Sequence, residues 1–378
     1  MNKKKILILS ITNQDSAPRV IRQIGFLGNK YELYCCGLKN STIPKNFFFP
    51  LIKSRALSIS NAIITLFKIF RLFRLAEIMI VKYKFRIDGH DKFPEFDLVI
   101  AHDLDAVAIA YGKFDAKKVF VDLHEYAPEE FGETFYWKLI NRNFILYQCR
   151  KYFSMVDASC TVCQSISDEY KKIFSTAPVV ITNATGFVDL KPSVPGKRIR
   201  IISHGSAIRS RKIELMIEIA KLLDDRFSMD LMLIPNDIAY YNSLKEIAEV
   251  SCNVRIISPV DFKDIIYYCN QYDIGLYMIF PTNLNNKFSL PNKFFEFIQS
   301  RLAIITGPSD EMKNYIDKYH LGFASKNFKP EDVAKEINKL TNKQIEEYKV
   351  STDSHARELS SDKNKTIFNN IVDKLIKN

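Results

Sequence analysis

Short apolar runs bounded by turn residues alternate along this chain with stretches whose apolar positions recur at helical spacing. Lys5–Ile11, Tyr31–Gly37, Asp97–Ala101, Lys118–Leu123, Ala158–Val162 and Val179–Ile181 read as buried strands. A helix ending near Leu27 and another over Ser165–Phe174 lie between them. Alternation of this kind predicts an α/β fold with a parallel, doubly wound sheet. The pattern breaks at Asp189–Lys197, where Pro192, Pro195 and Gly196 read as a linker. It then restarts, with strands at Ile199–Ser203, Met229–Ile234, Val254–Ile257 and Ile274–Met278 and a helix over Ile213–Leu223. Ala303–Thr306 runs into Gly307-Pro308, and Lys365–Lys377 reads as a last helix. The expected organisation is a first Rossmann-like domain over 1–190, a second over 197–350, and a helical segment over 351–378 that packs back on the first.

The length of 378 residues accommodates two such domains. Hydrophobic content of 47% with 26% charged residues is that of a soluble globular protein. The net charge of +11 points to an anionic partner: nucleic acid, an anionic membrane surface or an acidic ligand. No nucleic-acid-binding module is visible, so nucleic acid is set aside. Seven cysteines without a framework suit a reducing compartment. Cys160-x-x-Cys163 lacks the further ligands that zinc needs and reads as core packing. The apolar run behind the basic head Met1-Asn-Lys-Lys-Lys5 is shorter than a secretory signal. No stretch reaches the roughly 18 apolar residues that span a bilayer. A cytoplasmic protein is expected.

Residues 51–90 hold eight basic and two acidic residues with Phe67, Phe70, Phe73 and Phe85 interleaved. Ile63, Leu66, Phe67, Phe70 and Phe73 fall at helical spacing from Asn61 to Arg74, with Lys68 and Arg71 on another face. This pattern describes either a basic amphipathic helix resting on anionic lipid or a core helix with basic flanks.

The most specific segment is Phe288-Ser-Leu-Pro-Asn-Lys-Phe-Phe-Glu-Phe297, which follows a strand-like run and an Asn-rich loop. Ser289 is read as an N-cap and Pro291 as part of the first helical turn. Free amides at such a helix start favour an anion, typically phosphate. Lys293 adds a positive charge there, and Glu296 lies one turn deeper on much the same face. A cation beside phosphate and a carboxylate beside sugar hydroxyls suit a nucleotide-sugar. Ser203-His-Gly-Ser-Ala-Ile-Arg-Ser-Arg-Lys212 offers a second phosphate site by position, with Gly205 in the loop and Arg209, Arg211 and Lys212 beyond it. The loop Ile11–Arg19 lacks the Gly-x-Gly-x-x-Gly fingerprint, which argues against a dehydrogenase.

The 288–297 segment resembles the donor motif of retaining "group 1" glycosyltransferases of the GT-B fold, and the resemblance extends loosely over nearly the whole chain. It implies two Rossmann-like domains facing each other across a cleft. It implies transfer of a sugar from a nucleotide diphosphate sugar to a glycan or lipid-linked glycan, with retention and without metal or other cofactor. Ser289, Leu290, Asn292, Lys293 and Glu296 then belong to the donor site with Gly205, Arg209, Arg211 and Lys212; Arg211 aligns best with the family's lysine. Two departures stand out: Ser206 replaces the family's arginine, and Phe288 replaces the first of its two glutamates. His124 and Glu125, after the strand Val119–Leu123, correspond to the reaction centre. Asp15, Arg19, His102 and Asp103 are assigned to the acceptor side. Asp103-Leu-Asp105 also matches the metal-binding Asp-x-Asp of GT-A enzymes, but so short a match is common and the donor motif favours GT-B. Many relatives work on lipid-linked acceptors, which gives the membrane reading of residues 51–90, at the inner face of the cell membrane, a purpose beside the core-helix reading. Two other readings stay open: a nucleotide-sugar epimerase of the same fold, and a degenerate subunit that partners an active enzyme.

Overall fold

The computed structural model describes residues 3–53, 59–87, 93–130, 132 and 134–377. It divides into two units, one built from residues up to Thr182 with Asn283–Asn285 and the chain from Asn364 onward, the other from Asn183–Thr282 and Asn286–Lys363.

The first unit carries β1 (Lys5–Ser10), β2 (Glu32–Gly37), β3 (Phe48–Lys53), β4 (Phe85–Ile87), β5 (Leu98–His102), β6 (Val119–Leu123), β7 (Ala158–Thr161) and β8 (Val179–Val180). Their order across the sheet is β4-β3-β2-β1-β5-β6-β7-β8. All neighbours are parallel except β3 and β4. β1 and β5 are buried along almost their whole length, which is why their sequences are continuous apolar runs rather than alternating ones. Register aligns Ser10 with His102, His102 with Asp122 and Asp122 with Cys160, so one row of polar groups crosses the carboxyl ends of four strands. The last helix, Ser361–Lys377, lays Phe368 and Val372 into this unit's core, beside Phe26 and Phe120. Asp373 on the same helix receives Lys30 at 2.5 Å and the Tyr31 hydroxyl.

The second unit carries β9 (Ile199–Ser206), β10 (Phe227–Ile234), β11 (Val254–Ile257), β12 (Ile274–Tyr277), β13 (Ala303–Thr306) and β14 (Gly322–Ala324), in the order β11-β10-β9-β12-β13-β14. Counted within the unit this is 3-2-1-4-5-6, the order of dinucleotide-type Rossmann sheets. All its ladders are parallel. The order reverses between β9 and β12, the place where such sheets open to a ligand.

The expected helix over Asn61–Arg74 is two helices, Ile59–Ile69 and Phe73–Met79. Leu72 N–H reaches Phe67 O at 2.8 Å and Arg71 N–H reaches Lys68 O at 3.2 Å, a Schellman stop with Arg71 at φ +58° in the left-handed position. Glycine usually marks that position; an arginine there left no sign in the sequence. Residues 54–58 and 88–90 of the basic stretch lie outside the described residues. Among the described residues no helix is long and apolar enough to cross a membrane. Cys160 and Cys163 are buried thiols, neither in a disulfide.

Candidate functional site

In the second unit the chain leaves β9 through Gly205 at φ +140°, a conformation that side chains rarely adopt. A Cβ built there would stand 2.5 Å from Lys293 Nζ and 3.1 Å from Arg211 Nη1. The two cations thus converge on this backbone, and their side chains can approach because position 205 has none. Lys293 Nζ donates to His204 O at 2.7 Å and lies 4.7 Å from the centre of the Tyr277 ring. Arg211 Nη1 donates to Ser206 O at 3.3 Å. A small pocket opens here, between the end of β9, Tyr277 of β12 and Lys293. Burial, and then the Arg211 charge, pull Lys293 down to about 7, against Glu296. His204 is held neutral at about 3, by burial first and then by Lys293 and Arg211. Its Nε2 faces Glu296 Oε2 at 3.4 Å.

Gly205→Ala is expected to cost about 1–3 kcal/mol through the backbone alone and to push Lys293 off the His204 carbonyl. An unchanged urea midpoint for that variant would contradict this account of the loop.

The other sequence-assigned donor residues sit differently. Arg209 turns to Asp237 at 3.2 Å and to the Tyr240 ring, while Lys212 lies over Phe280. Neither is directed by these contacts to the Gly205 loop, so Arg211 is the cation of its cluster that reaches it. Ser289 is not the helix cap. The helix spans Asn292–Gln299 with Pro291 at the cap position and no side-chain cap. Proline removes an amide hydrogen just outside the first turn, whereas Ser289 stands in the preceding loop and accepts from Ser309 Oγ at its carbonyl. Leu290 is buried, and Asn292 opens the helix. Glu296 is buried one turn in, on the side that meets His204.

In the first unit the row of polar groups at the strand ends forms a second cluster. His102 Nδ1 and His124 Nε2 share a proton across 2.9 Å. Asp122, fully buried on β6, lies 3.7 Å from His102 and 3.9 Å from His124. It is held by Arg19 through two bonds of 2.7 Å, by the Gln23 amide and by Cys160 Sγ at 3.2 Å. Burial opposes its ionisation, yet the charges of Arg19 and His124 outweigh it and hold Asp122 well below the usual carboxylate range. Burial also keeps His102 neutral, at about 3. Asp103 has φ +67° and ψ 168°, a region almost confined to glycine. Its carboxylate accepts the His124 amide at 2.9 Å and stands 3.6 Å from His124 Nδ1. The Asp103 carboxylate therefore holds the loop that carries His124. Glu125 is exposed beside this loop.

Among the acceptor-side assignments, His102 and Asp103 meet His124, whereas Arg19 and Asp15 do not stand free for a ligand. The Arg19 guanidinium, at the start of the helix Pro18–Leu27, is buried on Asp122 and the Ile181 carbonyl. Asp15 closes its own loop through Ser41 N at 2.7 Å and Lys39 at 3.4 Å. Asp122 went unrecognised in the sequence although it is a lone carboxylate inside an apolar strand. His204, beside Gly205, carried a similar overlooked signal. His102, Asp122 and His124 place ligand atoms within 4.8 Å of one another, the spacing of a metal site. The Asp122 oxygens already accept from Arg19, Gln23 and Cys160, the bonds of a buried ion pair.

No protein-family model matches the chain. No curated protein matches it in sequence. Solved structures do match in shape. A structure of Anabaena Alr3699/HepE in complex with UDP and glucose superposes with TM-score 0.69 at 11% identity, covering 98% of this chain and 100% of that one. An α,α-trehalose-phosphate synthase (UDP-forming) from Burkholderia vietnamiensis gives 0.62 at 9% identity over 99% and 100%. WaaG, a glycosyltransferase involved in lipopolysaccharide biosynthesis, gives 0.59 at 12% identity over 96% and 99%. The fold is GT-B. Within GT-B, likeness at these identities speaks for architecture, and the chemistry rests on the residues described above.

Proposed function

We propose that the chain is a glycosyltransferase that moves a sugar from a nucleotide diphosphate sugar to a glycan or lipid-linked glycan. The observation that carries this reading is the convergence of Lys293 and Arg211 on the Gly205 backbone, at the switch point of a Rossmann sheet. Loss of a nucleoside diphosphate develops negative charge, and fixed cations stabilise it without reorganising. The shared fold with structures that hold UDP and glucose, or UDP-2-fluoro glucose, supports a uridine nucleotide as the first to test. Glu296, beside neutral His204, is the carboxylate for sugar hydroxyls. His124 is assigned to the reacting sugar, with His102 and Asp103 setting its orientation. The reading is of a retaining, metal-independent enzyme in which the leaving phosphate assists the acceptor. The acceptor is placed at an anionic lipid surface, reached through the basic helices around Arg71, on the cytoplasmic side.

Thermal unfolding with UDP, GDP, CDP, ADP and their sugars in EDTA tests this. A ligand present at a hundred times its Kd stabilises by about 2.7 kcal/mol. One nucleotide is expected to shift the transition in the wild type but not in Lys293→Ala or Glu296→Ala. His124→Ala is expected to keep the shift and lose turnover. No shift with any nucleotide would point instead to a degenerate partner subunit, and conversion of free nucleotide-sugar without acceptor to an epimerase.

A further inference from the structure

Apolar side chains on three helices of the first unit face outward where a soluble protein would place polar ones. On Ile59–Ile69 the residues Ile59, Leu66 and Phe70 share one arc, opposite buried Ile64, and Leu66 and Phe70 are 51% and 69% exposed. On Phe73–Met79 the outward residues are Leu75 and Ile78, again opposite buried Ala76. The helix Phe135–Ile140 packs against Ile59–Ile69 and repeats the arrangement. Its Phe135 and Leu139 are 80% and 65% exposed, while Trp137 and Ile140 turn inward. Single exposed apolar residues are ordinary, but a surface gathered from segments far apart in sequence marks an interface.

A basic pocket adjoins this surface. Arg71, between exposed Phe70 and Leu72, lines it together with Phe73, Asn143, Tyr147, Arg150 and Lys151. Lys151 is taken by Glu77. Among the described residues, neither Arg71 nor Arg150 has a carboxylate within ion-pair distance. The left-handed stop at Arg71 orients its side chain at a corner instead of along a helix. Phe73 packs at a tilt against Phe144 and Tyr147, which forms the pocket's wall. Two unpaired guanidinium groups beside an outward apolar face complement one chemistry: a phosphate at the boundary of hydrocarbon and water.

We propose that this face seats on an anionic phospholipid surface, with one headgroup phosphate held between Arg71 and Arg150 and with Phe70, Leu66, Phe135 and Leu139 entering the acyl boundary. The proposal deepens the lipid-surface part of the proposed function and is independent of the donor site. It also extends beyond the basic stretch, because Arg150 and the Phe135–Ile140 helix reach the face only through the fold.

Co-sedimentation of the full chain with vesicles of phosphatidylglycerol and phosphatidylcholine tests it, with pure phosphatidylcholine as reference. Each arginine at an anionic surface is worth about fivefold in partitioning, so Arg71→Gln with Arg150→Gln is expected to lower binding about 25-fold. Lys326→Gln with Lys343→Gln removes the same charge from the second unit and is expected to lower it far less. Leu66→Ser with Phe70→Ser alters exposed positions only, keeps the fold, and is expected to weaken binding while leaving Arg71 and Arg150 in place. Absence of binding to the anionic vesicles at low salt would overturn the proposal. So would equal losses in the two charge pairs, or an arginine effect without an apolar one. Nucleotide-induced thermal shifts recorded on the same samples keep the two readings separate: lost vesicle binding with retained shifts condemns the lipid seat alone, and the reverse condemns the donor site alone.

Discussion

Arg19→Ala is expected to destabilise the first unit by about 3–5 kcal/mol, the cost of leaving a buried carboxylate without its counter-charge. Arg19 reaches Asp122 through both Nε and Nη2 at 2.7 Å and also donates to the Ile181 carbonyl, so no water replaces it without opening the core. Gln23 and Cys160 keep their bonds to Asp122 but bring no charge. Arg19→Lys keeps the charge and loses the fork, and should fall between. The double variant Arg19→Met with Asp122→Asn should recover much of the loss, since the uncompensated charge is gone. The chain's single tryptophan, Trp137, belongs to the first unit, so its fluorescence through a urea titration follows the relevant transition. A loss below about 1 kcal/mol would mean that the pair behaves as an exposed ion pair and that Asp122 has another partner. The sign of the acid dependence follows from the same bonds. Asp122 in the fold titrates below its ordinary value of 3.8, so its contribution is full above that pH and disappears as the pH falls beneath it.

Binding of a nucleotide-sugar is expected to weaken as pH rises from 7 to 9, by up to tenfold per pH unit. Lys293 in the free protein titrates near 7 because it is buried and faces Arg211, with Glu296 opposing. A bound diphosphate favours its protonated form and raises that value. Below pH 7 both states hold the proton and affinity is level. Above it the free protein loses a proton that the complex retains, and binding must take one up. The neighbours do not blur this profile: His204 is already neutral, and burial raises the Tyr277 phenol. The diphosphate of a nucleotide-sugar has no ionisation in the same window. Isothermal titration from pH 6 to 9, in buffers of different ionisation heat, reads both the slope and the proton uptake. Lys293→Arg should bind with a flat profile, since arginine stays charged. A flat profile in the wild type would remove Lys293 from contact with the diphosphate. Folding responds in the opposite sense. The unfolded chain holds the Lys293 proton up to about 10.5, so the unfolded state binds more protons between 7 and that value and stability rises with pH there.

Most strands were legible because a parallel sheet covered on both faces requires unbroken apolar runs, and those runs need no partner to be recognised. Thus Lys118–Leu123 and Ile274–Met278 were read within a residue of β6 and β12. The antiparallel edge strand β4 was not, being three residues long and set among basic residues. Lys293 was legible as a cation at a helix start after a strand, a position with its own chemical signature, and the fold brings it to the Gly205 loop. Ser289 was mistaken for the cap because it and Pro291 both suit a helix start, and only the backbone angles decide where the first turn begins.

Local pattern by itself determined the α/β alternation and the segments that carry Gly205, His124 and Lys293. These depend on neighbours within a few residues. Tertiary structure alone decided which charges serve the site and which serve the core. Arg19 and Arg211 are both arginines a few residues beyond a strand; one is buried against Asp122, on a strand about a hundred residues away, and the other faces a glycine that leaves it room. The cost of burying a charge depends on the partner that register and packing bring to it, and that partner is not written beside it in the sequence.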